Sequence, residues 1–381
     1  MHSIMMLRRI ARMDQGRGCN RHACRRRGAA AQHRRLRCWL LALCCWLPLG
    51  AEAARLIEDS AGRKVELPER IERVYAAGPP ASILVYVLAP DKLTGWPRAP
   101  RDDERPYLAP ATRDLPETGR LTGRGNTTNL EVMLRTRPDL IIDFGAVNAT
   151  YVSLADQVQA QTGIPYLLID GRFEQTPAAL RLVGDILGVG DRGEALASEV
   201  EALLTTLDDV LATIPERDRP RVYMARGPNG LETGLKGSIN TEIIERAGGR
   251  NVADPGDASL RRGIVQVSVE QVIVANPDTI ITWDPNFYRG VWRDPMWAGI
   301  EAVQRQRVFL SPLVPFGWID RPPSLNRIIG LKWLASLFYP DQMPMDLRAE
   351  TRAFYRRFYH VDLDDNALEQ LLQWTQGHPP N

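Results

Sequence analysis

Two fifteen-residue stretches in different halves of the chain share one pattern: NLEVMLRTRPDLIID at 129–143 and SVEQVIVANPDTIIT at 268–282. In each stretch a helix-capping residue, Asn129 or Ser268, precedes a glutamate by two positions, where the helix dipole favours a negative charge. Seven residues after the glutamate, Pro-Asp ends the helix, and an apolar run typical of a buried strand follows. The repeat therefore predicts the same helix–strand unit in each of two similar lobes.

Short apolar runs alternate with amphipathic stretches over the rest of the chain, which is typical of an α/β protein. We predict strands at 73–77, 140–144, 166–169, 221–225, 279–283 and 307–310. Apolar residues at helical spacing across 192–214 predict one helix about 35 Å long in the middle of the chain. The predicted organisation is a leader at 1–53, an N-terminal lobe at 54–190, a connecting helix at 191–215 and a C-terminal lobe at 216–381. Two lobes of one architecture joined by one helix indicate a ligand cleft between them.

The leader has the features of an export signal with an extended basic N-region. Residues 1–53 hold 11 of the 48 basic groups and 2 of the 46 acidic groups, so the remainder carries a net charge of −7. A basic stretch at 34–37, an apolar run at 38–49 and small residues at Ala51 and Ala53 are typical of a cleavable signal peptide. Twelve apolar residues are too few to span a bilayer of about 30 Å. Leu43 before Cys44 disfavours a lipoprotein signal, because a small residue is expected there.

The chain after this leader lacks the residues that most enzyme mechanisms require. All five cysteines precede residue 54, and only His360 and His378 follow it, so neither a thiolate site nor a bare-metal site is predicted. No dinucleotide fingerprint, P-loop or nucleophile elbow occurs. The acidic body also argues against nucleic-acid binding. We therefore predict a monomeric binding protein with no catalytic residue, resident cofactor or resident metal.

The loops that follow the predicted strands are rich in arginine, aromatic residues and glycine. Open α/β sheets bind ligands at these strand ends. Guanidinium groups bind carboxylate, hydroxamate or phosphate oxygens in pairs, and aromatic faces cover flat or apolar groups. The candidate ligand-binding residues on these loops are Arg98, Tyr151, Arg172, Arg226, Trp283, Tyr288, Trp318 and Arg321. We expect Asp284 and Asp320 to hold neighbouring arginines rather than ligand.

Several motifs together resemble one protein family. They are IEDSAGRKVELP at 57–68, DKLTG at 91–95, both Glu-x7-Pro-Asp units, and AGGRNV at 247–252. This set is similar to that of the periplasmic substrate-binding proteins of iron-siderophore and cobalamin ABC importers. The resemblance implies two Rossmann-like lobes on one long backbone helix, a metal chelate bound in the cleft, and delivery to a permease in the inner membrane. It also implies a periplasmic location.

The resemblance assigns roles to individual residues. Siderophore sites of the family use arginine and aromatic side chains, which here best match Arg98, Arg226, Arg321, Tyr288 and Trp318. Glu131 and Glu270 stand where the family has one permease-docking glutamate in each lobe.

The ligand predicted first is a ferric siderophore or related iron complex. The alternatives are an oxyanion such as molybdate, a nickel chelate or a corrinoid; a secreted enzyme has no motif in its favour. A bare oxyanion would need hydroxyl and backbone N–H donors, which Ser82, Thr127, Thr128 and Ser238 could offer.

Overall fold

The computed structural model describes residues 55–123, 130–254, 263–373, 375 and 377. The strands in these residues are β1 (Arg55–Glu58), β2 (Lys64–Leu67), β3 (Val74–Ala76), β4 (Leu140–Gly145), β5 (Tyr166–Asp170), β6 (Arg221–Ala225), β7 (Glu232–Gly234), β8 (Arg250–Asn251), β9 (Ile264–Gln266), β10 (Thr279–Thr282) and β11 (Val308–Leu310). The predicted leader and its signal peptide lie outside the described residues, as do Thr127, Thr128 and Asn129.

The α-helices alternate with the strands. They are α1 (Pro79–Leu88), α2 (Leu130–Arg135), α3 (Ala149–Thr162), α4 (Thr176–Ile186), α5 (Gly190–Ala212), α6 (Glu242–Arg246), α7 (Val269–Ala275), α8 (Pro285–Gly290), α9 (Glu301–Gln304), α10 (Arg327–Phe338), α11 (Leu347–Tyr359) and α12 (Asp365–Leu372). Within the described part of the chain, no helix combines the length and apolar character needed to cross a bilayer.

Two separate parallel sheets form the centres of the two lobes. The N-terminal sheet has the order β3–β4–β5, and the C-terminal sheet has the order β11–β10–β6–β8. Two antiparallel pairs, β1–β2 and β7–β9, lie outside these sheets. Since all strands of a sheet run in the same direction, their carboxyl ends meet at one edge, where loops can converge on a ligand. The predicted α/β fold with two lobes is confirmed.

The long helix α5 spans 23 residues between the last strand of the first sheet and the first strand of the second. Its apolar face buries Leu196, Val200 and Leu207. Close packing of its first turn on α4 depends on Gly193, because an added Cβ there would lie 2.6 Å from the carbonyl oxygen of Leu180. Such packing fixes the start of the helix on the N-terminal lobe.

The repeated Pro-Asp corner clamps a helix to a neighbouring strand in each lobe. The Asp139 carboxylate accepts from the backbone N–H groups of Glu72 and Arg73, at 2.8 and 2.9 Å. The Asp278 carboxylate accepts from the N–H of Arg221 at 2.8 Å. Arg73 in turn donates to the carbonyl of Thr136, just beyond the end of α2. Arg221 donates to the carbonyl of Ala275, the last residue of α7. The repeat thus encodes one structural corner twice.

An ion pair of the C-terminal lobe, Arg327 with Glu242, is hydrogen-bonded to Gly171 and Phe173 of the N-terminal lobe. We call these four residues the interlobe latch. The Arg327 side chain is only 1% exposed, and it donates to Glu242 at 2.6 Å and to the Gly171 carbonyl at 2.9 Å. Glu242 also accepts from the N–H of Phe173 at 3.0 Å, and the guanidinium lies 5.1 Å from the Phe173 ring centre. Because Gly171 and Phe173 follow β5, the latch ties the N-terminal sheet to α6 and α10 of the other lobe.

Candidate ligand-binding site

A cavity of about 1040 Å³ lies between the lobes, at the carboxyl edges of both parallel sheets. The N-terminal lobe contributes the start of α1, the segment 96–108 and the end of β4. The C-terminal lobe contributes the ends of β6 and β10 and the loop 315–323. The chain therefore places its interlobe cavity where strand-end loops of both halves converge.

Two guanidinium groups and one indole form the C-terminal wall. Ala225 of β6 is paired with Thr282 of β10, so the next residues along the strands, Arg226 and Trp283, are neighbours. The Arg226 guanidinium lies 5.3 Å from the Trp283 ring centre, and the Arg321 guanidinium lies 4.2 Å from it. Strand register thus brings together three residues that are far apart in sequence.

Arg226 is held by carboxylates of its own lobe. Its side chain is 8% exposed, and it forms ion pairs with the fully buried Asp320 and, at 3.2 Å, with Glu232. The expectation that Asp320 binds an arginine is confirmed. Asp284 instead caps α8, accepting from the N–H of Asn286 at 2.9 Å.

Arg321 differs from Arg226 in its charge environment. Among the described residues it has no carboxylate within ion-pair distance, and its guanidinium lies over the Trp283 ring. Partial burial lowers the pKa of Arg321, and the nearby positive charges of Arg101 and Arg98 lower it further. This part of the cleft therefore presents a positive charge that an anionic ligand would neutralise.

On the N-terminal wall, Arg98 is already paired with a carboxylate. Arg98 donates to Glu104 at 2.8 Å, and Arg101 approaches the same carboxylate at 3.0 Å. The Glu104 side chain is only 4% exposed. Trp96 anchors this segment by donating its indole N–H to the Thr112 carbonyl at 2.7 Å. Arg98 thus lines the cavity as part of a compact charge cluster.

A buried acid lies at the end of β4 and lines the cavity. Asp143 accepts from the Thr122 hydroxyl at 3.0 Å and from the Tyr166 hydroxyl at 3.4 Å. Burial raises the pKa of Asp143 to about 6. The sequence analysis did not single out this residue, although its position as the polar last residue of the repeated unit was a usable signal. Tyr151, which was predicted, lines the same cavity.

The structure brings five of the eight candidate residues to the cavity: Arg98, Tyr151, Arg226, Trp283 and Arg321. The other three lie elsewhere. Arg172 is exposed, and its guanidinium forms an ion pair with the nearby Asp170 carboxylate, with one contact at 2.8 Å. Tyr288 is 1% exposed in the core of the C-terminal lobe. Trp318 is fully buried, with its ring centre 6.1 Å from that of Trp333.

The two predicted docking residues lie on the surface of the repeated helices. Glu131 is in the first turn of α2 and Glu270 in the first turn of α7, and both are exposed. A hydrogen bond from Ser268 lowers the pKa of Glu270. Both therefore present carboxylates to solvent.

Comparison with known proteins identifies the class. Residues 74–313 match the family model described as periplasmic binding protein. A solved ABC transporter solute-binding protein from Sulfurospirillum deleyianum DSM 6946 is 33% identical, has a TM-score of 0.76, and matches over 84% of this chain and 99% of its own. The molybdate-binding protein MolA of Haemophilus influenzae is 27% identical over 84% of this chain and 95% of its own length. The vitamin B12-binding protein of Salmonella typhimurium is 30% identical over 40% of this chain and 54% of its own.

These matches show that the chain belongs to the periplasmic binding protein family. Like these relatives, it is a solute-binding protein of an ABC transporter and not an enzyme. The resemblance found in the sequence motifs is confirmed at this level.

Proposed function

We propose that this protein captures an anionic metal chelate, a ferric siderophore or related iron complex, and delivers it to the permease of an ABC importer. The observation that carries the proposal is Arg321, a cation on the face of Trp283 with no carboxylate partner among the described residues. An anionic chelate supplies the missing negative charge. Its organic part supplies apolar surface for the indole.

The size of the cavity supports a ligand larger than a simple ion. Small-molecule pockets occupy roughly 300–1,000 Å³, and this cavity, at about 1040 Å³, lies just above that range. Trp96, Phe316 and several prolines line it together with the charged groups. A chelate would fill such a space, whereas a bare tetrahedral ion would leave most of the wall without contacts.

The metal is proposed as cargo inside the chelate. Within the described ranges, no group of three or more His, Cys, Asp or Glu side chains is arranged to hold a metal ion. Three of the cavity acids, Glu104, Glu232 and Asp320, form ion pairs with arginines, and Asp143 accepts from two hydroxyl groups. The protein would therefore recognise the chelator's oxygens through Arg321, and not the metal itself.

Molybdate is the second candidate, because the similarity to MolA extends over 84% of the chain. Of the four side-chain donors expected for a bare oxyanion, the two that the structure describes, Ser82 and Ser238, give it little support. The Ser82 hydroxyl donates to the Pro79 carbonyl at 2.8 Å and is buried. Ser238 is also buried, and its hydroxyl accepts from Asn240 at 3.1 Å. A nickel chelate and a corrinoid are the other ligands to be tested.

The test is a titration of the exported protein followed by tryptophan fluorescence, with Trp283 as the reporter in the cleft. The probes are ferric citrate, a ferric catecholate, a ferric hydroxamate, nickel–histidine, molybdate and cobalamin. We expect saturable quenching by a ferric chelate at micromolar concentration or below, about −8 kcal/mol or better. A response to molybdate with silence for every chelate would establish the second candidate instead.

Arg321→Ala tests the site assignment. One lost hydrogen bond to a charged group costs roughly 1.5–3 kcal/mol, so affinity for the chelate should fall about 10-fold to 100-fold. Arg172→Ala is the matched control, since this arginine is exposed and outside the cavity. Equal affinities of the two variants would refute the assignment.

Glu131 and Glu270 are proposed to dock on basic groups of the permease, one from each lobe. Their exposure on equivalent helices supports this role. Replacing both with glutamine should leave chelate binding intact and impair uptake. Loss of chelate binding in that variant would show that the glutamates serve the fold or the ligand.

A further inference from the structure

Exposed apolar side chains concentrate on the two repeated helices. Among the described residues, five large hydrophobic side chains are exposed, and three of these lie on α2 or α7. Leu134 is 44% exposed, Ile273 is 46% exposed and Val274 is 85% exposed. The other two, Leu56 and Met296, lie outside these helices.

The exposed residues occupy equivalent places in the repeat. Leu134 follows Glu131 by three positions, and Ile273 follows Glu270 by three positions. Residues three or four apart lie on the same face of a helix, one turn from each other. Each lobe therefore presents a carboxylate with an aliphatic side chain one turn further along.

Packing inside the lobes does not need these side chains. Met133 and Val272, one residue earlier in each helix, are buried at 0% and 2% exposure and fill the core contact. A single exposed aliphatic residue is ordinary on a protein surface. The same exposure at the same repeat position in both lobes, each beside a glutamate, indicates a shared use.

Topology places both pairs toward the cleft. Helix α2 leads into β4, and α7 leads into β10, each through a tight corner at the start of the strand. A helix so connected runs back along its strand, so its first turn points toward the edge where Asp143 and Trp283 line the cavity. A partner that takes up the bound ligand must contact this side of both lobes.

We propose that Leu134, Ile273 and Val274, together with Glu131 and Glu270, form a duplicated docking surface for the permease. The glutamates pair with basic groups, and the aliphatic side chains are apolar anchors against the permease surface. The partner must therefore carry, for each lobe, a basic residue beside an apolar patch. This inference rests on the proposed delivery to a permease.

The first experiment identifies the occupant. A photoreactive amino acid is placed at position 274 and, as a control, at position 296, which is also exposed, in the full-length protein expressed in its native host. Cross-linking from 274 but not from 296 to the membrane subunit of an ABC importer supports the surface. Capture of a different kind of protein, equal capture from both positions, or no capture overturns it.

The second experiment separates apolar from charged contacts on the captured importer in nanodiscs. Leu134→Ser with Ile273→Ser and Val274→Ser should weaken docking at least tenfold, with little change in its salt dependence, because apolar contacts are not screened. Glu131→Gln with Glu270→Gln should weaken docking and reduce the salt dependence. Leu56→Ser with Met296→Ser is the matched control and should dock like the wild type.

Two outcomes would overturn the inference: unchanged docking of the serine triple variant, or an equal loss in the control. Titration of all variants with the fluorescence probes separates this failure from failure of the proposed function. If the wild type docks on the importer but the serine triple variant docks equally well, only the apolar anchors are refuted. If the wild type binds none of the probes and docks on no importer, the proposed function falls as well.

Discussion

Removing Glu242 should reveal how much the interlobe latch contributes to the fold. In Glu242→Ala the Arg327 guanidinium keeps its bonds to the Gly171 and Ile239 carbonyls but loses Glu242, at 2.6 Å, the one carboxylate that it contacts in the described part of the chain. The Phe173 N–H loses its acceptor as well. Breaking a buried ion pair by removing one partner costs about 3–5 kcal/mol. Since the Glu242 side chain is 23% exposed and water can reach the gap, we expect about 3 kcal/mol.

The assay is urea unfolding, with the free energy of unfolding taken from the midpoint and slope. Arg327→Leu with Glu242→Leu should cost less than either single substitution, because no unpaired charge stays buried. Arg181→Ala is a control on an exposed cluster with Glu194 and should stay close to wild-type stability. The reasoning fails if Glu242→Ala loses under about 1 kcal/mol, or if the double variant loses the sum of both single effects.

Three further predictions concern the site and its supports. Burial raises the pKa of Asp143 to about 6, above roughly 4 in the unfolded chain. Between pH 4 and 6 the native state therefore binds more protons than the unfolded state, and the stability contribution of this group falls as pH rises. Asp143→Asn should remove that decline and raise the free energy of unfolding at pH 7 by about 1–3 kcal/mol, as measured by urea unfolding at each pH. Asp278→Ala leaves the Arg221 N–H without its acceptor and should cost about 1–2 kcal/mol in the same assay. Gly330→Ala would place a Cβ against the Trp318 carbonyl oxygen, so we expect a loss of about 1–3 kcal/mol and a lower chelate affinity by fluorescence titration; a wild-type result in both would contradict the close packing.

The sequence predicted the architecture well because strand and helix periodicity are local signals. The central helix was expected at 192–214 and lies at Gly190–Ala212, and the repeated helix Val269–Ala275 begins and ends where expected. The Pro-Asp corner was understood only in part. Its proline ends the helix as predicted, but the clamp by the Asp139 and Asp278 carboxylates depends on strands far away in sequence.

The site was predicted less completely because burial is a tertiary property. Arg226 and Trp283 could be found since both follow strands that pair in the sheet. Tyr288, in the short helix α8, and Trp318, in the loop 315–323, also follow strands along the chain, but both are buried in the core. No local feature of the sequence separates them from the residues that line the cavity. Trp318 is buried because Gly330 lets α10 approach its backbone closely. Glu104 was one of 44 acidic residues beyond the leader, and only the folded segment shows its pairing with two arginines.

The interlobe latch has a consequence for the rate of capture. Walls held at a fixed spacing give the ligand a site that is already formed, so association needs no slow closing step and its rate should rise linearly with ligand concentration. Ligands of similar charge would then differ mainly in residence time. A ligand with a long residence time would then leave the cleft quickly only if the transporter separated the two lobes.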